Sequence, residues 1–501
     1  MNTVDALSER AKLRGIHWLL LSATNRKVLR DRLRGLLLPA TGLGPCHLRH
    51  VRFRPGQWLT AYYEVPVQIG ASKAHRPIGV TWKSVSEADQ PHETIELTQM
   101  QADAAHCGVA APFLQLMADF PEQSMQIRVA PLDARFTQLV RVSDPQHVRA
   151  MVAAAYASSR AASDRPRISE YTVTFIKYRP GKRHVLRYDP VDRTKGRTLF
   201  AKPYVGDDGA RAFQLAQCAA DWLAEHGEGV NCLRPLAYVA ADKLVLYPRV
   251  CGAPLSSQLR RPSAHVAHHL QQAAAALKAL HRLPKAVSGS LEPRDFAAEI
   301  EETARASDHI RTLLPQVGAA IDALLDRARE LDARLPQEPP CFTHGDFKSE
   351  HIWVAAGGLT LIDLHSRLAD PALDVGKFLA DLQLWHATYE QPGLGEARES
   401  FLAAYGSGVP SERLIRSRLY EAVHVVKMAA HGSDLTLRAA GRVRLFKRDW
   451  EFRTARLIGR AQSVITELQL TLGLPAPAAE VPVTQLLSKA LPVPRAIGFG
   501  S

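Results

Sequence analysis

Two stretches of the chain share one rhythm. Residues 51–64 and 176–189 each alternate apolar or aromatic positions with polar ones, on both sides of a Pro-Gly pair, Pro55-Gly56 and Pro180-Gly181. A period of two interrupted by a Pro-Gly turn predicts a β-hairpin. A further strand-like run follows each hairpin, over 78–85 and 198–205, and each run carries a lysine, Lys83 and Lys202. The period then changes to that of a helix, over 94–106 and 209–226. The pattern predicts a small β-sheet lobe written twice, of which only the second need be catalytic. Chance similarity between two hairpins is the competing reading.

Between the copies, residues 148–156 have a helical period. The turn-like Ser163-Asp164-Arg165-Pro166 then suggests a boundary near 165. A strand at 243–247 leads into Pro248-Arg249-Val250-Cys251-Gly252. Helical periods dominate afterwards, over 264–282, 293–304, 307–332, 375–389, 395–405, 411–430 and 444–470. From Gly473 the chain is Pro-rich, with one short helical pattern at 483–490. Four segments follow: 1–165, 166–252, 253–472 and 473–501.

Bulk composition changes this picture little. The 501 residues are 46% hydrophobic and 23% charged, as in an ordinary globular protein. The net charge of +13 invites an anionic partner, yet no block of five or six like charges occurs. No nucleic acid is therefore expected, although the Arg- and Lys-rich segment 411–460, with Phe446, Trp450 and Phe452 interleaved, keeps that alternative open. The six cysteines are scattered without a C-x-x-C pair, which suits reduced thiols. The apolar run 18–21 is too short for a signal segment or a membrane span. A cytoplasmic location and no membrane partner are expected.

The chemistry lies in Thr343-His344-Gly345-Asp346-Phe347-Lys348-Ser349-Glu350-His351 and in Leu361-Ile362-Asp363-Leu364. One carboxylate follows a His-Gly pair. A second ends a short apolar run, where a charge has few bland explanations. Phosphoryl transfer from a nucleotide needs such a pair, one accepting the proton of the attacking hydroxyl and one holding magnesium on the phosphates.

With the segments 243–255 and 277–284, and with Asp370-Pro371-Ala372-Leu373-Asp374, these motifs resemble the aminoglycoside phosphotransferase and choline kinase family over roughly residues 170–465. The resemblance implies an α+β, bilobal protein-kinase-like fold. It would have a small antiparallel β-sheet N-lobe and a mainly helical C-lobe, preceded here by an extra lobe that echoes the N-lobe. It implies ATP or GTP as co-substrate, Mg2+, and a small-molecule hydroxyl acceptor such as a sugar, amino sugar or antibiotic. Asp346 would be the base, with His344 bracing its loop. Lys348 would touch the transferring phosphate, unless it is a solvated lysine. Asp363 would chelate magnesium.

Lys202 would hold the α- and β-phosphates, but the following helix offers Gln214, Gln217 and Asp221 and no glutamate to pair with it. Gly181, Lys182 and Arg183 stand where a Gly-rich phosphate loop would be, and a plain β-turn is an equal reading. Tyr247 and Arg249 flank Pro248 at the hinge; a proline has no N–H to offer adenine. Asp370 and Asp374 are read as structural. His351, the second candidate metal ligand beside Asp363, departs from the family, which mostly places Asn there, and imidazole suits softer metals than magnesium. That departure keeps a catalytically weak pseudokinase or scaffold as the alternative function. The sequence leaves the oligomeric state open.

Overall fold

The computed structural model describes residues 3–84, 91–158, 169–194, 196–227, 229–260, 265–288, 291–432, 436–439, 442–445 and 449–475. The boundary near 165, Phe446 with its basic neighbours Lys447 and Arg448, and the helical pattern at 483–490 lie outside them. Two compact units are present. One comprises 1–255, 275–290 and 350–366; the other comprises 256–274, 291–349 and 367–501.

The first unit holds two antiparallel sheets built to one plan. In the first sheet the five main strands are His47–Arg54, Trp58–Ile69, Ser72–Lys83, Met117–Phe120 and Met125–Val129. Counted in chain order, they lie in the spatial order first, second, third, fifth, fourth, and Gly42–Leu43 also pairs with the second. In the second sheet the strands are Tyr171–Arg179, Arg183–Pro190, Leu199–Pro203, Ala237–Val239 and Leu244–Pro248, in the same order. Each sheet sends a helix out after its third strand, Pro91–His106 and Asp208–His226. Each turns its last hairpin through a short 3-10 piece that ends in a left-handed residue, Ser124 or Lys243. The first hairpins turn at Gly56 (φ 74°) and Gly181 (φ 70°), a conformation glycine adopts without a Cβ penalty. The echo in the sequence is thus a repeat of topology.

The register corrects one detail of that echo. Ala61 and Leu186 each lie five residues past the turn glycine, and they pair with Val80 and Ala201. Thr81, and not Lys83, therefore occupies the place of Lys202.

Alternation gives each sheet one apolar face. In the second sheet Leu186, Tyr188, Leu199, Ala201, Leu244 and Leu246 pack against Val148, Met151, Val152 and Ala155 of the helix Pro145–Ser158. In the first sheet Leu59, Ala61, Val80, Trp82 and Ile127 are buried on the equivalent face. A smaller four-stranded sheet in the same unit contains the hairpin Ile352–Ala355/Gly358–Leu361.

The second unit is mainly helical, and its central helices are Ala372–Tyr389 and Ser411–Gly432. The continuous helix expected over 307–332 is broken. Asp308–Leu313 and Pro315–Asp332 are separate helices, because Pro315 starts a new one after a non-helical Leu314. Likewise Pro293–Arg294 forms a short strand, and the next helix starts at Phe296, capped by Asp295 through a 2.8 Å bond from the Ala298 amide. A sheet-rich unit and a helical unit make up the α+β class that the resemblance implies.

Candidate active site

Asp363 gathers the charged cluster of the first unit. The antiparallel rung Ile352↔Leu361 and the bond from the Ile362 amide to the His351 carbonyl (2.9 Å) fix the end of the small hairpin. Asp363 follows immediately with φ 58°, an uncommon setting for a residue with a side chain. Its carboxylate accepts from Arg183 Nη2 on both oxygens, at 2.7 and 2.6 Å, and from Lys202 Nζ. His351 Nε2 lies 3.4 Å from Oδ2, and His365 Nε2 lies 3.9 Å from Oδ1. Burial alone would raise the Asp363 carboxyl. Lys202, Arg183, His351 and His365 outweigh it and hold the group well below the usual carboxylate range.

Lys202 thus has a partner, but not on the following helix: Asp221 there pairs with Arg234. The Lys202 ammonium also sits 5.7 Å from the centre of the Tyr247 ring. Burial, then the neighbouring Tyr204, push the Tyr247 phenol far above its ordinary range.

Three other expected nucleotide-binding residues are not brought to Asp363. Arg249 is exposed beyond its strand, and Lys182 is exposed at the turn. The Gly181 amide donates to Asp133 Oδ2 at 2.7 Å, so this turn is fastened to the segment that follows the first sheet. Asp133 is buried. It also takes His184 Nε2 at 2.7 Å and the Arg135 amide at 3.0 Å.

The second unit builds the loop of Asp346. Gly345 takes φ 75°, which lets the chain turn after the strand Cys341–Thr343. The buried Asp374 carboxylate accepts the His344 amide at 2.6 Å and the Gly345 amide at 2.9 Å. His344 is fully buried, and its Nδ1 accepts the Asp346 amide at 3.3 Å. Lys377 Nζ and Lys348 Nζ contact the two Asp346 oxygens at 2.9 and 3.1 Å. Further along, Asp381 Oδ2 accepts the Ser349 amide (2.8 Å) and hydroxyl (2.6 Å), and Phe347 packs on Phe378. Asp374, Lys377, Phe378 and Asp381 fall at i, i+3, i+4 and i+7 of one helix, so a single helical face holds the loop. Sequence reasoning singled out Asp374 but missed Lys377 and Asp381. That spacing, polar on an otherwise apolar helix, was the available signal.

The basic stretch 411–460 reads differently once folded. Arg416 pairs with Asp370 (2.6 Å) and Asp332 (3.0 Å), and Arg418 with Glu421 (2.7 Å). Lys427 pairs with the buried Glu299 (2.9 Å) and with Glu302 (3.0 Å). These three cations are committed to internal carboxylates. Asp370 also caps its turn by accepting the Ala372 amide at 2.8 Å.

Among the described residues, no group of three or more His, Cys, Asp or Glu stands ready to hold a metal ion. At the expected metal position, Asp363 stands with His351. An ionised carboxylate fits magnesium, which commonly takes one or two carboxylates and leaves its other positions to phosphates and water. The His351 nitrogen adds little to that fit. Among the described residues, no helix is long and apolar enough to cross a membrane.

Comparison with known proteins adds three findings. Residues 191–415 match the phosphotransferase enzyme family. No curated protein matches. Similar solved structures include spectinomycin phosphotransferase APH(9)-Ia in complex with ADP and spectinomycin, at 13% identity and TM-score 0.41, covering 61% of this chain and 95% of that one. Choline kinase from Cryptosporidium parvum is similar at 12% identity and TM-score 0.42, with 68% and 99% covered. Aminoglycoside-3'-phosphotransferase of type VIII is similar at 23% identity and TM-score 0.36, with 50% and 93% covered. The family that the sequence motifs resemble and the family matched by residues 191–415 are the same, the phosphotransferase enzyme family.

Proposed function

We propose that the protein is a small-molecule kinase that moves the γ-phosphoryl group of ATP or GTP to a hydroxyl of a sugar, amino sugar, antibiotic or similar metabolite. One observation carries the reading. Asp363, strained and held ionised, gathers Lys202 and Arg183 around a single carboxylate. Cations and a metal-binding carboxylate at one point suit a metal–polyphosphate ligand.

Asp363 would hold magnesium, which when bound neutralises charge on the phosphates. Lys202 and Arg183 then exchange their bonds to Asp363 for bonds to phosphate oxygens. Asp346 takes the proton of the acceptor hydroxyl as its oxygen bonds to the γ-phosphorus and the bond to the β-phosphate oxygen breaks. Lys377 and Lys348 orient the Asp346 carboxylate, and Lys348 offers charge to the transferring group. His344 and Asp374 fix the loop and take no proton.

Thermal unfolding with ATP and GTP, each with and without magnesium, tests this. A ligand present at 100 times its Kd stabilises the folded protein by about 2.7 kcal/mol. The expected result is a magnesium-dependent rise that disappears in Asp363→Asn. No rise with either nucleotide would remove the reading. His351 beside Asp363 favours the second reading, a pseudokinase, which expects nucleotide binding indifferent to magnesium and no turnover with any acceptor.

A further inference from the structure

The first sheet repeats the topology of the second, with Thr81 in the place of Lys202, and it carries a cavity. A space of about 530 Å³ is lined by Trp58, Thr60 and Tyr62 of one strand, Gly79, Thr81 and Lys83 of the next, and Gln126 and Arg128 of a third. Asp133, Arg135 and the Pro180-Gly181 turn close it. That volume is in the range of small-molecule sites.

The cavity opens on a particular face. Pairing carries Thr81 to Lys202, and the rungs Thr81↔Gln126 and Lys202↔Val245 then align the neighbouring strands. Two rungs further, Gly79↔Arg128 matches Phe200↔Tyr247. Arg128 therefore stands where Tyr247 stands, and Trp58 where Arg183 stands, each two residues past its turn glycine. The cavity lies on the face that, in the second sheet, carries Arg183, Lys202 and Tyr247.

Its lining is cationic and aromatic. Lys83, Arg128 and Arg135 supply positive charge. The lining carboxylate, Asp133, is already bonded to His184 and to the Gly181 amide. Trp58 and Tyr62 supply flat rings, and the Arg52 guanidinium lies 5.4 Å from the centre of the Trp58 ring. Thr60 and Thr81 share a 2.9 Å hydroxyl contact across the floor. The surrounding field is positive as well. Lys182, exposed at the turn but stripped of part of its solvent, is depressed by that desolvation and then by Arg52, Arg135, Arg54 and Arg179. Arginine forks match phosphate oxygens, and aromatic rings offer a surface for stacking.

We infer that this face of the first sheet is a second, non-catalytic binding site for a phosphorylated small molecule with a planar ring, of the nucleotide class. The lining carboxylate Asp133 already accepts from the Gly181 and Arg135 amides and meets His184, so binding at this site is expected not to call on magnesium. Among the contacts that tie the site to the second sheet, one is open to a ligand's phosphate. Arg135 Nη1 donates to the Gly181 carbonyl at 3.0 Å, and a phosphate that engages Arg135 competes with that bond.

Calorimetric titration of the full chain in EDTA tests the inference, with ADP and inorganic pyrophosphate as probes. In a Lys202→Ala background, ADP should bind at one per chain, and pyrophosphate at least tenfold more weakly. Adding Lys83→Ala and Arg128→Ala should weaken ADP at least tenfold. Should that protein fail to fold, Trp58→Ala and Lys83→Ala, made singly, should each weaken ADP severalfold. No heat with ADP in Lys202→Ala, an affinity untouched by the Lys83, Arg128 and Trp58 changes, or pyrophosphate binding as tightly as ADP would each overturn it. Failure of the kinase reading appears as absent phosphoryl transfer and leaves this titration unaffected.

Discussion

Where the second sheet carries Lys202, the first carries Thr81; where the second carries Arg183 and Tyr247, the first carries Trp58 and Arg128. The strand order, the turn glycines and the buried apolar faces are alike. A sheet's topology is set by its apolar face and its turns, so the opposite face is free to change. Under the proposed function, chemistry would reside in a few side chains on that free face and not in the fold.

The largest expected effect comes from breaking the equipped copy. Lys202→Ala should lower phosphoryl transfer by about 10²–10³-fold, because a cation aimed at developing phosphate charge is lost. Thr81→Ala, the matching change in the first sheet, should leave transfer within a factor of about two if the first sheet takes no part in chemistry. Steady-state rates of the two variants, measured side by side, decide whether the copies differ as described; equal losses would mean that they do not.

Breaking the joint between the copies comes next. Asp133→Ala leaves His184 and the Gly181 amide without their buried acceptor, at a cost of about 3 kcal/mol. The melting midpoint should drop by several degrees. Asp133→Asn keeps one acceptor oxygen and should lose less. An unchanged midpoint in both variants would show that the sheets are not fastened there.

Asp374→Ala probes the other unit. It removes the acceptor of two amides, His344 and Gly345, at about 1–3 kcal/mol each. Turnover should fall more than nucleotide affinity does, a split that comparing kcat with the nucleotide Kd reveals.

The smallest effect is on pH dependence. The folded Asp363 carboxyl lies below its unfolded value of about 3.9. Its stabilisation is therefore fully present above that pH and is lost as the pH falls toward the folded value. Wild type and Asp363→Asn should differ in denaturant midpoint at pH 5, and the difference should shrink as the pH falls toward the folded value. A difference that grows on acidification would contradict the depressed value.

The sequence carried the local part of this architecture well. Alternation around Pro-Gly marked both hairpins, and an apolar strand run marked Asp363, because turn chemistry and period are properties of neighbouring residues. Long-range matters were hidden. The partner of Lys202 lies 161 residues away at Asp363, and no helix pattern could have named it. The two-residue displacement of Lys83 depends on how far the strands slide past one another. Lys377 and Asp381 interrupt an apolar helix, but what they hold shows only when the loop 343–349 is laid against them. The break at Leu314–Pro315 was the exception: a proline announced it, and the apolar period on both sides obscured it.

The bond between Asp133 and the second hairpin also has a meaning in time. Every strand of the first sheet, and Asp133 itself, precedes residue 171 in the order of synthesis. The ribosome therefore delivers the whole of the first sheet, and the acceptor of the turn, before the hairpin that docks there. Vectorial synthesis runs in the order in which folding units generally form, so the second hairpin is the later comer to a partner already made.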